Sequence, residues 1–329
     1  MRPTLTVLTL GAAWGVAQHR SRGRTRAVQQ QIAALDPVTD ARQMVWLLAT
    51  RELAFDTELS LSLALLRTYA VPSISVLLEA TGEFTSAARK RYDDTELIIA
   101  EMSKHGVATP GPGRDALRRM NAMHAAYDID PDDTLYTLTT FICEPVRWAA
   151  RFGWRAMTAA EVAAQTRWYA EVGSHMGLGD LPTDYAWFDR FNRRYEAERF
   201  AYHPANRIVA DASVQLLLDI YLPPVLHGVG ALAVRAMLDQ PLREALGYQP
   251  APPAMTAVVE ASLRARAFVQ RHLMPERRTD WDLTTVARAT YPGGHRVAQL
   301  GTFPGGAARI HANAALAALR AAPGGSTEV

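Results

Sequence analysis

The chain of 329 residues holds one cysteine, Cys143, which excludes an internal disulfide framework and any cysteine-built zinc or iron–sulfur site within it. The absence of C-x-x-C-H also excludes covalent attachment of a c-type haem, so a haem bound here would be held non-covalently. Charge of one sign is not in excess either. Lys and Arg total 35 against 33 for Asp and Glu, a formal net charge of +2, and that balance creates no field implying nucleic acid or an anionic membrane as a partner. Familiar catalytic signatures are missing: G-x-x-x-x-G-K-[ST], G-x-S-x-G, H-E-x-x-H and a strand-to-helix G-x-G-x-x-G. Hydrolase and dinucleotide-binding readings therefore lose their usual support, and the pairs Gly177/Gly179 and Gly228/Gly230 read as loop glycines. Alternating strand patterns are scarce. Only Arg296–Phe303, after Tyr291-Pro-Gly-Gly294, reads as a short hairpin arm.

Long apolar runs are lacking as well. Residues Pro3 to Ala17 are mostly apolar and lead into Arg20, Arg22, Arg24 and Arg26, an order that suits an anchor better than a cleaved signal. The run of about 15 residues falls short of the roughly 20 that span a bilayer. A soluble or surface-lying helix, a membrane anchor and a cleaved signal all stay open, and with them a cytoplasmic or a membrane-associated placement.

What is present is an ordinary globular composition, 49% hydrophobic and 21% charged, organised as one helix after another. Asp40 to Ala70 carries a long apolar period ended by Val71-Pro72, and further helical stretches follow at Ser73–Glu79, Asp93–His105, Arg114–Tyr127, Thr134–Arg151, Ala159–His175, Tyr185–Ala201, Asn206–Tyr221, Gly228–Asp239, Pro253–Leu273 and Ala312–Ala321. The expectation is an all-α fold. It divides into residues 1–27 as an apolar and basic N-terminal segment, 28–321 as a single large helical domain, and 322–329 as a loose tail.

Two helical segments carry the candidate chemistry. In Arg91-Tyr-Asp-Asp-Thr95 the arginine and threonine stand four apart, and Tyr92, Thr95, Ile99 and Met102 share one face. In the second, Leu117, Met120, His124 and Tyr127 share a face, so the imidazole projects from an apolar stripe, the setting a proximal haem ligand requires. Periodicity does not decide for ligation, because a histidine on an apolar face is more often structural. Plainer readings also exist for the first segment: Asp93-Asp-Thr-Glu96 resembles an N-cap with its box partner, and Arg89, Lys90 and Arg91 a solvated basic run. Elsewhere, Glu144 and Arg147 read as an ion pair three apart, Cys143 as a small core residue, and His175 and His203 as turn residues, with His203 a remote candidate for a second axial ligand.

The stretches Leu47-Leu-Ala-Thr-Arg-Glu-Leu-Ala-Phe-Asp-Thr57, Arg67-Thr-Tyr-Ala-Val-Pro-Ser73, Arg91-Tyr-Asp-Asp-Thr95, Met123-His124, Glu144-Pro-Val-Arg-Trp148, Arg151-Phe-Gly-Trp-Arg155 and Tyr221-Leu-Pro-Pro224 together resemble one family. It joins the rubber oxygenases (latex clearing proteins) with the ER-bound oxygenase of mycophenolic acid biosynthesis, and the likeness is closer to the latter branch. It extends from about residue 40 to 305. The resemblance implies a globin-like helical core, non-covalent haem b, His124 as proximal iron ligand and Arg91 and Thr95 as the distal R-x-x-x-T pair. It further implies oxidative cleavage by dioxygen of a carbon–carbon double bond in a hydrophobic, isoprenoid-like molecule. Rubber oxygenases have lysine where this chain has Asp94, so a lysine-capped iron is not expected. Asp94 is instead the nearest candidate for the acidic base, with Glu79 and Glu83 upstream. Two other outcomes remain open: a haem-binding sensor or carrier without turnover, and a haem-free helical lipid binder.

Overall fold

Local signals start several of the helices. Asp130, Asp184 and Asp239 each accept a hydrogen bond from a first-turn backbone N–H, and Thr158 and Glu161 form a reciprocal capping box. Pro131 and Pro204 occupy first helical positions, where a missing N–H does no harm. The computed structural model describes residues 27–272, 282–303 and 305–322. The apolar segment 3–17, its basic stretch and residues 323–329 of the expected tail lie outside the described residues. Within them there are helices and turns and no strand, so the chain is all-α.

The helix expected from Asp40 to Ala70 is broken. It runs as Ala41–Leu47, a π-helical turn Leu48–Glu52, and Ala54–Thr68. An inserted residue of this kind turns one side chain off the regular face. Here the π turn delivers the buried Glu52 carboxylate to Arg155 Nε at 2.8 Å and to Gln29 Nε2 at 3.0 Å. Arg296–Phe303 is not a hairpin arm. Gln299 Oε1 accepts from the Arg296 backbone N–H at 2.8 Å and closes a 3-10 turn, Val297–Gln299. Short helices at Glu83–Ser86 and Gln240–Ala245 had no expectation.

Packing gathers these helices around two main apolar clusters. One draws Met44, Leu48, Leu97, Leu117, Ile142 and Trp168 from the N-terminal and central helices; the other draws Val209 and Leu218 from the Pro204–Tyr221 helix with Leu66, Tyr69, Leu242 and Leu246 from segments before and after it. The central helix of the first cluster, Pro131–Phe152, contains Pro145, which cannot donate to the Phe141 carbonyl four residues earlier. Gln165 Nε2, from the Ala159–Gly173 helix, donates to that carbonyl at 2.8 Å instead. The helix stays intact because its neighbour supplies the missing donor.

The helices Ala88–His105 and Pro112–His124 pack against each other. A strap of residues 282–303 crosses the first of them, tied by Lys104 to Asp282 at 2.5 Å, Arg288 to Glu96 at 2.9 Å, Thr290 Oγ1 to Asp93 at 2.8 Å and His295 Nε2 to Glu101 at 2.9 Å. Among the described residues no single helix is long and apolar enough to cross a membrane. Ala54–Thr68 and Pro72–Ala80 meet that test only as a pair, and the pair is bent by 94°.

Candidate functional site

A cavity of about 320 Å³ opens where the Ala88–His105 and Pro112–His124 helices meet side chains of both main clusters. That volume lies within the roughly 300–1,000 Å³ usual for small-molecule sites. Its wall is mostly apolar. Met102, Met120, Met123, Met176, Phe141 and Tyr169 line one part; Leu65, Tyr69, Leu77, Leu78, Leu216 and Leu217 line another.

Arg91, Thr95 and His124 all stand on this wall. The helix carrying Arg91 begins at Ala88, so Asp93–Glu96 is helix interior rather than the N-cap box the sequence permits. On it, Arg91, Thr95, Ile98 and Met102 recur at helical spacing and line the cavity. Arg91 Nη1 donates to Thr95 Oγ1 at 2.8 Å, Thr95 Oγ1 donates to the Arg91 carbonyl at 2.8 Å, and the guanidinium lies 5.7 Å over the Phe84 ring. Among the described residues no carboxylate lies within ion-pair distance of Arg91. A desolvated guanidinium without an anion is costly unless something else answers its charge.

His124 is the last residue of its helix and is half-buried. Its ring makes no hydrogen bond to a described side chain. Burial above all, and then the Arg91 charge, push its pKa down to about 4, so the imidazole is neutral with a free lone pair at ordinary pH. Leu117, placed on the same face by periodicity, goes into the core instead.

These residues fit a haem. No group of three or more His, Cys, Asp or Glu among the described residues could hold a bare metal ion, so an iron on His124 would need its other ligands from a macrocycle. The methionine-rich part of the wall offers adaptable apolar contact for a flat ring. Arg91 offers positive charge for a carboxylate substituent, whereas Arg320, also on the wall, is paired with Asp128.

The sequence matches, over residues 59–272, the family described as ER-bound oxygenase mpaB/B'/Rubber oxygenase, catalytic domain. The chain belongs to this family. The ER-bound oxygenase mpaB' of Penicillium brevicompactum is 32% identical over 243 residues, which cover 68% of this chain and 57% of that protein. The ER-bound oxygenase mpaB of Penicillium roqueforti (strain FM164) is 32% identical over 203 residues, 56% of this chain and 67% of that protein. The chain thus matches little more than half the length of the first relative. The family match contains Arg91, Thr95 and His124 and ends before the strap.

In this family member Asp94 does not reach the cavity. It follows Asp93 onto the strap side of the helix, where Lys90 Nζ meets it at 2.5 Å and Tyr291 OH donates to it at 2.5 Å. One residue before Thr95 means about 100° around the helix, enough to turn the carboxylate away from the Arg91 face. Of the upstream acids, Glu79 is exposed and off the wall, whereas Glu83 lies on it and accepts from Thr302 Oγ1 at 3.3 Å. His203 is no second ligand: it is off the wall, and its Nδ1 caps the Pro204–Tyr221 helix by accepting from Ala205 N–H at 3.1 Å. His175 is exposed in a π turn. Cys143 is fully buried, and burial pushes its thiol up to about 12, which leaves no thiolate to bind iron. Arg147 bonds Glu144 at 2.7 Å and extends the pair to Asp189 and Asn192 at 2.7 and 2.8 Å, a structural network. Glu83 escaped the main reading because no periodic signal links it to Arg91. Its approach depends on the turn at Gly82, whose φ of 71° the glycine permits.

Proposed function

We propose that this protein is a haem b-dependent oxygenase that uses dioxygen to cleave a carbon–carbon double bond of a hydrophobic, isoprenoid-like substrate. His124 holds the iron, and Arg91 and Thr95 stand on the oxygen side. One observation carries the reading most: a neutral imidazole and a guanidinium with no carboxylate partner among the described residues share the wall of one apolar cavity. The family names, oxygenases throughout, supply the reaction class. Bound haem would supply the activation of dioxygen.

The chain's own residues do the rest. His124 offers a lone pair that burial keeps free of protons. Arg91, steadied by Thr95, places positive charge and N–H donors where negative charge develops on oxygen. The leucine-rich part of the wall excludes water and holds an aliphatic chain. Glu83 is the carboxylate that takes up or orients an allylic proton, and Asp94, by holding Lys90 and Tyr291, fixes the helix that presents Arg91 and Thr95. A substrate of this kind partitions into lipid, which accords with a peripheral membrane contact through residues 3–17.

The test is the visible spectrum of the purified protein, before and after dithionite, for wild type and His124→Ala. A Soret band strong in wild type and lost or shifted in the variant is the expected result. No band after expression with ample haem would sink the oxygenase reading and favour a helical lipid binder. A band without consumption of squalene or another isoprenoid alkene would favour a haem sensor or carrier.

A further inference from the structure

One end of the cavity wall breaks the apolar pattern. Along the Pro131–Phe152 helix the wall residues run from Asp133, Thr134 and Thr137 to Leu138 and Phe141, so the lining passes from polar to apolar within about two turns. Asp133 is only 4% exposed. Its Oδ1 accepts from the Tyr195 hydroxyl at 2.6 Å, and Ser73, also on the wall, is a second hydroxyl beside it. Among the described residues no lysine, arginine or histidine forms an ion pair with it. Burial pushes its pKa up, the mark of a carboxylate whose charge is incompletely answered. The threonines beside it already have their protons engaged: Thr134 Oγ1 donates to the Asp130 carbonyl at 3.3 Å and Thr137 Oγ1 to the Asp133 carbonyl at 2.9 Å. What this end still offers is acceptors, since a carboxylate takes about four hydrogen bonds and a hydroxyl oxygen about two. A helix N-terminus favours acids, but the exposed Asp132 already serves that end from the solvent side. It gives no reason to bury a second carboxylate on an apolar cavity, where an unanswered polar group is a cost.

We infer that Asp133, with Thr134 and Thr137, is a hydrogen-bond-accepting subsite for a hydroxyl group on the substrate, so that the cavity prefers an isoprenoid alcohol to a bare hydrocarbon. That this alcohol is a substrate rests on the oxygenase reading above. Its hydroxyl donates to Asp133, and its aliphatic chain runs past Leu138 to Phe141, in the methionine-rich part of the wall. An ammonium head would meet the same acceptors, but it would have to leave its hydration for an apolar cavity that already carries the Arg91 charge, so the neutral hydroxyl is favoured. Anchoring one end has a consequence for the chemistry. It fixes which double bond along the chain reaches Arg91 and Thr95.

The experiment is calorimetric titration of the full chain, expressed with ample haem and kept oxidised so that nothing turns over, with farnesol and with farnesyl methyl ether. The ether keeps the chain and the oxygen but has no proton to donate. Wild type should bind farnesol about tenfold or more tightly than the ether, because a site built to accept a hydrogen bond rejects the analogue that lacks the donor. Asp133→Ala should erase that preference. Asp133→Asn, which keeps the side-chain volume but replaces the charged acceptor with a weaker amide oxygen, should cut it to about threefold or less. Tyr195→Phe removes the bond to Asp133 and leaves the carboxylate in place, so it should keep the preference. Equal binding of alcohol and ether by wild type, or a full preference in both Asp133 variants, would overturn the subsite while leaving the oxygenase reading intact. A preference that depends on Asp133 in a protein with no haem band and no dioxygen uptake would overturn the oxygenase reading and leave the subsite standing as that of a binding protein.

Discussion

On the cavity face of the Ala88–His105 helix, Arg91, Thr95, Ile99 and Met102 meet an apolar space, and Arg91 has no carboxylate partner among the described residues. On the strap face the helix buries Asp93, Asp94 and Glu101, and each is answered: Asp93 by Arg89 and Thr290, Asp94 by Lys90 and Tyr291, Glu101 by His295 and His105. Buried charges that find their partners within the chain hold it together. A half-buried charge on an apolar wall that finds none among the described residues, as Arg91 does, is held ready for something from outside. The same helix thus fastens the fold with one face and presents the site with the other, and stability and function should be separable by face.

Substitution on the cavity face should give the larger effect on turnover. Arg91→Ala is expected to lower dioxygen uptake with squalene about a hundredfold, the usual consequence of removing one placed donor from developing negative charge. Its melting temperature should stay within about 2 °C of wild type, since no ion pair to a described residue is broken. Equal losses of uptake and stability would blur the division.

On the strap face the order reverses. Asp94→Ala removes the carboxylate shared by the Tyr291 hydroxyl and the Lys90 ammonium, leaving them only the longer bonds to the Gln299 and Gly301 carbonyls, and should cost about 3 kcal/mol in urea denaturation, or roughly 5–10 °C in melting temperature. The haem band of the folded fraction should be that of wild type. A variant that keeps its stability but loses uptake would return Asp94 to the site and break the comparison.

Much of the cavity face was legible in the sequence, because helical periodicity is local. It sets Tyr92, Thr95, Ile99 and Met102 together, and likewise Met120, His124 and Tyr127, and all seven line the cavity. The strap face was not legible. Asp93 and Asp94 look like capping residues until Thr290 and Tyr291, each 197 residues away in sequence, come into contact with them. The π turn at Leu48–Glu52 was hidden for a similar reason: its gain is the distant Arg155, while the apolar period runs on undisturbed through it.

The smallest of these effects lies in the proton balance of His124. Its pKa falls from the ordinary 6.5 in the unfolded chain to about 4 in the folded one, so between those values the unfolded state binds the extra proton. Stability from this group is therefore full above about pH 6.5 and drains away as pH falls toward 4. In the haem-free protein the loss from pH 7 to about pH 5.5 should be about 1 kcal/mol, read by urea denaturation and absent in His124→Ala. Arg91→Ala sharpens the point. Removing the charge that helps depress the imidazole should shrink the pH effect without abolishing it, because burial is the larger cause. If Arg91→Ala left the pH dependence untouched, the two residues would not share the electrostatic space that places the guanidinium and the imidazole in one site.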